Sequence, residues 1–189
     1  TMVDQISSGK DLKGKTYKGI INGFPGQMTG SEVIEFMIDK ASATKGGFDP
    51  LTGYNYTQLI SKFMMGAVFY SQAVDNYLDE KLGANNKPNN KPYKKGAYYT
   101  GKEHSWDEAF GYFGAAAHGL TLTAKQNYEI AKLGKKSKSP EAALKLADYN
   151  GDGVVDLYRE MNYAHAYYAS AYDKKGKTSY YKDIVQGFI

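Results

Sequence analysis

The stretch that decides the fold is YTQLISKFMMGAVFYSQAVDNYLDEKL, Tyr56 to Leu82. Ile60, Phe63, Met64, Ala67, Val68, Phe69, Val74, Tyr77 and Leu78 recur at the 3.6-residue period of a helix. The segment is therefore expected to be one long amphipathic helix with a wide apolar face, which needs partners to cover it. Upstream, Val33, Ile34, Met37, Ile38 and Ala41 repeat the pattern behind Ser31, a candidate N-cap with Glu32 in the first turn. Downstream, helices are expected over 103–118, 123–133, a short one opened by Ser139, Pro140 and Glu141, one from Asp156 to about Tyr172, and one from Thr178 onward. Almost nothing alternates with period two. The expected fold is an all-α bundle of about six or seven helices.

Glycines at 14, 19, 23, 26 and 30 punctuate the first thirty residues, so 1–30 reads as an irregular arm and 31–189 as the helical domain. Asn85 to Pro92 is a polar loop with an imperfect NNKP repeat. The run Val185-Gln186-Gly187-Phe188-Ile189 is still apolar at its end. We expect a partner chain or a further C-terminal segment to complete the bundle there.

Composition excludes several chemistries. With 189 residues and 42% hydrophobic content, the chain is long enough to bury a real core. It has no Cys, which removes disulfides, thiolate zinc sites, iron–sulfur clusters and a Cys nucleophile. The formal charge of +4 comes almost wholly from Lys, because Arg159 is the only Arg. Bidentate phosphate and base recognition favours Arg, and the Lys residues are scattered apart from small groups at 91–95 and 132–138. No nucleic-acid partner is expected. No stretch reaches the roughly 20 apolar residues of a membrane span.

Two constellations carry chemistry. In Asp148-Tyr149-Asn150-Gly151-Asp152-Gly153-Val154-Val155-Asp156, oxygen-bearing side chains fall at positions 1, 3, 5 and 9. The Val154 carbonyl falls at position 7, and Gly153 at position 6 permits the sharp turn. This is the oxygen supply of a Ca²⁺ loop. Position 12 is Arg159 and not Glu, with Glu160 one residue later, so the loop is EF-hand-like or dockerin-like, and Glu160 reaches the ion if the loop is one residue wider. The plain alternative is a Gly/Asp turn with Asp156 capping a helix. We expect a structural Ca²⁺ held by Asp148, Asn150, Asp152, Val154, Asp156 and Glu160.

The second constellation is Glu103-His104-Ser105-Trp106-Asp107-Glu108. On a helix, Glu103 pairs with Asp107 and His104 with Glu108 at i,i+4. Imidazole plus carboxylates suits Fe, Zn or Mn. The alternative is a helix cap and a hydrogen-bond network, with Trp106, Phe110 and Phe113 in the core. His118 and His165, each among small residues, are further candidate ligands. The paired tyrosines are candidates for stacking on a ligand or a glycan, or simply half-buried residues with a wet hydroxyl.

The segment EHSWDEAFGYFG, residues 103–114, resembles the mark of an uncharacterised bacterial family of secreted or periplasmic, often lipid-anchored proteins. Gly53-Tyr54-Asn55-Tyr56, the helix that follows, DYNGDGVVDL and Asn162-Tyr163-Ala164-His165-Ala166 extend the resemblance from about Gly47 to the C-terminus. Such proteins are similar to, or operon neighbours of, imelysin-like proteins of iron uptake, helical bundles with a G-x-H-x-x-E metal motif. Here Gly101-Lys102-Glu103-His104-Ser105-Trp106-Asp107 has an extra residue before the His, and Asp replaces Glu. The resemblance implies a non-enzymatic, periplasmic or cell-surface protein that binds iron or another metal through His104 and Asp107. A Ca²⁺-stabilised interaction module of a surface assembly is the alternative. A metallohydrolase is weaker, because no complete catalytic set can be named.

Overall fold

In the computed structural model, residues 11–24, 26–83, 89–133 and 138–189 are described. The first ten residues of the arm, the first half of the NNKP repeat (85–88), and Lys135 and Lys136 lie outside them. The described chain is mostly helical. In order it has α1 (Leu12–Lys15), β1 (Ile20–Ile21), β2 (Met28–Thr29), α2 (Gly30–Ser42), β3 (Phe48–Asp49), β4 (Tyr54–Asn55) and α3 (Tyr56–Met64). The helix then continues with wider, π-type turns over Met65–Lys81. There follow α4 (Gly101–Phe113), α5 (Ala124–Ala131), α6 (Pro140–Ala147), α7 (Ala164–Asp173) and α8 (Tyr180–Phe188). Two antiparallel ladders of two residues each, β1 with β2 and β3 with β4, are a small addition to the expected all-helical content. No described helix is long and apolar enough to cross a membrane.

The chain divides into two compact units, Thr1–Asp75 and Asn76–Ile189. In the first, Val33 and Met37 from α2 pack on Tyr56 of α3, with Phe24, Phe36 and Phe63 around them. Phe24 meets Phe36 and Phe63 edge-on at 6.4 and 6.5 Å, the arrangement aromatic quadrupoles favour. The cap of α2 is Thr29 and not Ser31: its hydroxyl accepts from the Glu32 N–H while Glu32 accepts from the Thr29 N–H. Parts of the arm are tied down, since the Tyr17 N–H donates to Ala67 O and the Gln72 amide to Lys15 O.

The second unit has two apolar clusters. Phe113, Ala115, Ala166, Ala169, Tyr181 and Val185 form one; Ala116, Ile130 and Ala147 form the other. The many alanines let backbones approach closely. Between the elements lies a buried polar hub. Asn162, 1% exposed, accepts from the Ala116 N–H (2.8 Å) and the Tyr181 hydroxyl (2.7 Å), and donates to Asn127 O and Oδ1 (2.9 and 3.0 Å). Asp173, also buried, receives the Thr178 hydroxyl and the Tyr180 and Tyr181 N–H groups, so its carboxylate caps α8 where the helix dipole is positive.

Two helices are shorter than the periodicity predicts. α4 stops at Phe113 and not at His118, because Gly114 is left-handed (φ 83°) and caps it through Phe110 O. A Cβ at Gly114 would lie 2.8 Å from the Tyr163 carbonyl oxygen, so the chains cross where only Gly fits. α7 starts at Ala164 and not after Asp156: residues 157–163 are turn and extended chain, and Ala164 itself has φ 44°.

Candidate functional site

α4 positions the first site. Thr100 and Glu103 form a reciprocal capping box that starts the helix, with the Thr100 N–H donating to Glu103 Oε2 at 2.6 Å. These bonds hold the Glu103 carboxyl below its ordinary pKa. Glu103 thus serves the helix end. Asp107 is exposed, and Trp106 lies half out of the core with its indole N–H on Phe188 O (2.9 Å) and its ring against Phe188. The expectation of a core Trp106 is corrected in that respect. Of the four expected metal ligands, the structure brings together only His104 and Glu108, with Nε2 and Oε1 3.6 Å apart.

Around this pair lie Tyr99, from the Tyr98-Tyr99 pair that is a candidate for stacking, and Tyr77, Tyr93 and Tyr112, which motif reading did not single out. A β-bridge between Pro92 and Thr100 closes a loop just before α4. It sets Tyr93 4.0 Å and Tyr99 5.7 Å, centroid to centroid, from the His104 ring. Tyr77, 1% exposed, stacks on Tyr112 at 5.7 Å and bonds to Glu108. Burial first, and then the Glu108 bond and charge, push the Tyr77 hydroxyl far above its ordinary pKa; burial and the same charge raise Tyr112. Tyr77 is therefore a permanent donor that orients the Glu108 carboxylate. Lys81 lies 4.1 Å over the Tyr77 ring, and Lys102 donates to Leu82 O and Gly83 O. His104, Glu108, Tyr93, Lys81 and Lys102 line a cavity of about 650 Å³. One signal was available in the sequence: a Tyr on an apolar helix face needs a polar partner for its hydroxyl.

The second site is the 148–156 loop after α6. Each acidic or amide side chain gives one oxygen to the loop backbone. Asp148 Oδ2 accepts from Gly153 N (3.0 Å), Asn150 Oδ1 from Asp152 N (2.9 Å), Asp152 Oδ1 from Val154 N (2.8 Å) and Asp156 Oδ1 from Tyr158 N (2.7 Å). Gly153, at φ 82°, makes the turn that this winding needs. The second oxygens are differently placed. Asp152 Oδ2 accepts from the Asn150 amide, Asp156 Oδ2 lies 3.9 Å from Arg159 Nε, and Asp148 Oδ1 is buried without a hydrogen-bond partner. Glu160, 2% exposed, has both oxygens engaged: Oε1 with the Tyr149 and Asn150 N–H groups, Oε2 with the Asp156 N–H. Those bonds lower its pKa and staple the two ends of the loop together.

His118, 5% exposed, bonds through Nε2 to Leu146 O (3.0 Å) and stacks on Tyr149 of the loop at 4.9 Å. A carbonyl accepts, so Nε2 carries the proton; Nδ1 is buried without a hydrogen-bond partner. His165 is half-buried on the first turn of α7. Among the described residues no three His, Asp or Glu side chains converge as a metal group, so neither His joins His104 in one.

These features define a helical protein with an aromatic-walled cavity and a separate acidic loop. Residues 38–146, more than half of the chain, match a domain of unknown function, DUF4856, and the chain belongs to that family. The matched region contains the cavity and stops two residues before Asp148. No curated protein and no solved structure matches the chain.

Proposed function

We propose that this chain is a calcium-stabilised helical binding protein, with the loop at 148–156 holding Ca²⁺ and the cavity on α4 as its recognition site. The observation that carries the reading is Asp148 Oδ1, a buried carboxylate oxygen with no hydrogen-bond donor. Such an oxygen costs free energy unless a cation or water meets it. The same loop carries the oxygens of Asn150, Asp152, Asp156 and the Val154 carbonyl, the hard set Ca²⁺ takes, and the ion must draw them together from their present backbone bonds. Binding requires Asp152 Oδ2 to leave the Asn150 amide and turn to the ion. Glu160 holds the loop closed from behind in this reading, and need not ligate. The test is thermal unfolding with Ca²⁺ and with chelator. An ion that binds only the folded state raises the melting temperature, and identical curves would refute the proposal.

A second reading keeps a transition metal, Fe or Zn, at His104 and Glu108, in a periplasmic or cell-surface protein that serves iron acquisition. What favours it is an imidazole nitrogen and a carboxylate oxygen 3.6 Å apart at a cavity wall. Two protein ligands are fewer than such an ion usually takes, so the rest must come from water or cargo. Anomalous scattering at the Fe and Zn edges tests it; no peak beside His104 in metal-loaded protein refutes it.

A further inference from the structure

The cavity on α4 has a character of its own. Its wall carries Lys81, Lys91 and Lys102 together with Glu80, Glu108 and the His104 imidazole. Charges of both signs line one cavity, so an anion would meet Glu108 and a cation would meet the lysines. A neutral ligand bearing many hydroxyls uses both, because each hydroxyl donates to a carboxylate and accepts from an ammonium. The groups are pre-oriented. Glu108 is held by the buried Tyr77 hydroxyl, and Lys102 is anchored on Leu82 O and Gly83 O. Tyr99 stacks with Tyr93 and with His104 at interplanar angles of 21° and 26°, and Tyr93 lies tilted by 33° on His104. Tyr93 remains 47% exposed at the cavity, which offers an apolar surface to the C–H face of a ring. The volume, about 650 Å³, lies within the range of small-molecule sites.

We infer that this cavity binds a neutral saccharide, stacked on Tyr93 and hydrogen-bonded by Glu108, His104 and Lys102. The inference rests on the binding-protein reading above and supplies its ligand class.

The experiment is isothermal titration calorimetry of the intact chain in Ca²⁺ buffer with maltotetraose, cellotetraose and tetra-N-acetylchitotetraose, with tetragalacturonate as the acidic counterpart. At least one neutral oligosaccharide should bind. Tyr93→Ala and Glu108→Gln should each weaken it about tenfold with unchanged circular dichroism, and Tyr93→Phe should restore binding. Three results would overturn the inference: no heat or ligand NMR signal from any neutral sugar with folded protein, binding of tetragalacturonate alone, or unchanged affinity in Tyr93→Ala. The Ca²⁺-dependent melting shift is scored separately. A shift without sugar binding fails this inference alone, and sugar binding without a shift fails only the calcium loop.

Discussion

Asn162→Ala should be among the most damaging single substitutions in the second unit. The side chain is 1% exposed and makes four hydrogen bonds, to a backbone N–H of Ala116, the Tyr181 hydroxyl, and the backbone and side-chain oxygens of Asn127. Truncation leaves two donors without acceptors. The Asn127 oxygens lose a donor but keep second lone pairs, so they matter less. Orphaned buried groups cost about 1–3 kcal/mol each, and water entering the vacated space recovers part, so we expect a loss of about 3–4 kcal/mol. At about 2–4 °C per kcal/mol for a chain of this length, the midpoint falls by roughly 10 °C. The single Trp makes the measurement specific. Trp106 lies in the same unit, bonded and stacked to Phe188, so its fluorescence in urea follows that unit. Tyr181→Phe should cost only about 1 kcal/mol, because Asn162 Oδ1 keeps the Ala116 N–H. The double variant should then cost less than the two singles together, since no Tyr181 hydroxyl is left to orphan. An Asn162→Ala loss below about 1 kcal/mol, or strict additivity in the cycle, would refute the hub argument.

Asp152→Ala should abolish the Ca²⁺-dependent melting shift, which for the wild type is worth about 2.7 kcal/mol at a hundredfold excess over Kd; calorimetry with and without chelator reads it. Glu160 titrates below its ordinary value of 4.5 because backbone N–H groups hold its charged form, so its contribution to stability is present above that value and drains away as pH falls through the folded-state pKa. Glu160→Gln should therefore flatten the acid limb of the stability curve, and an unchanged limb below pH 4.5 would contradict the staple. Gly114→Ala should cost about 1–3 kcal/mol from left-handed strain, before any clash with the Tyr163 carbonyl is counted, and urea unfolding of the variant checks it. Asp173→Ala should free the start of α8, seen as faster amide exchange at Tyr180 and Tyr181 than in the wild type.

The start of α2 turns on a choice between two caps two residues apart. Thr29 and Ser31 are both good N-caps with acidic residues nearby, and only the backbone path chose Thr29. Gly111 and Gly114 both fall inside the helical pattern over 103–118, and nothing local distinguishes the two. What distinguishes them is Tyr163, far along the chain, crossing close to Gly114. Glu160 has the spacing of a ligand one residue late. The fold turned its carboxylate back onto three loop N–H groups.

Local patterns along the chain are enough to specify the helical class, the position of most helices and the existence of an acidic, glycine-punctuated loop. Those properties are written in 3.6-residue periodicity, caps and turn residues, which act over a few neighbours. Which polar groups meet is set by packing. It paired His104 with Glu108 alone, brought Tyr77 under Glu108, set Tyr93 on His104 and buried Asn162 at a junction of three elements. Those meetings join residues far apart in the chain or faces of one helix that only packing can occlude. Burial, which fixes their protonation and bonding, is a property of the assembled core and not of any segment.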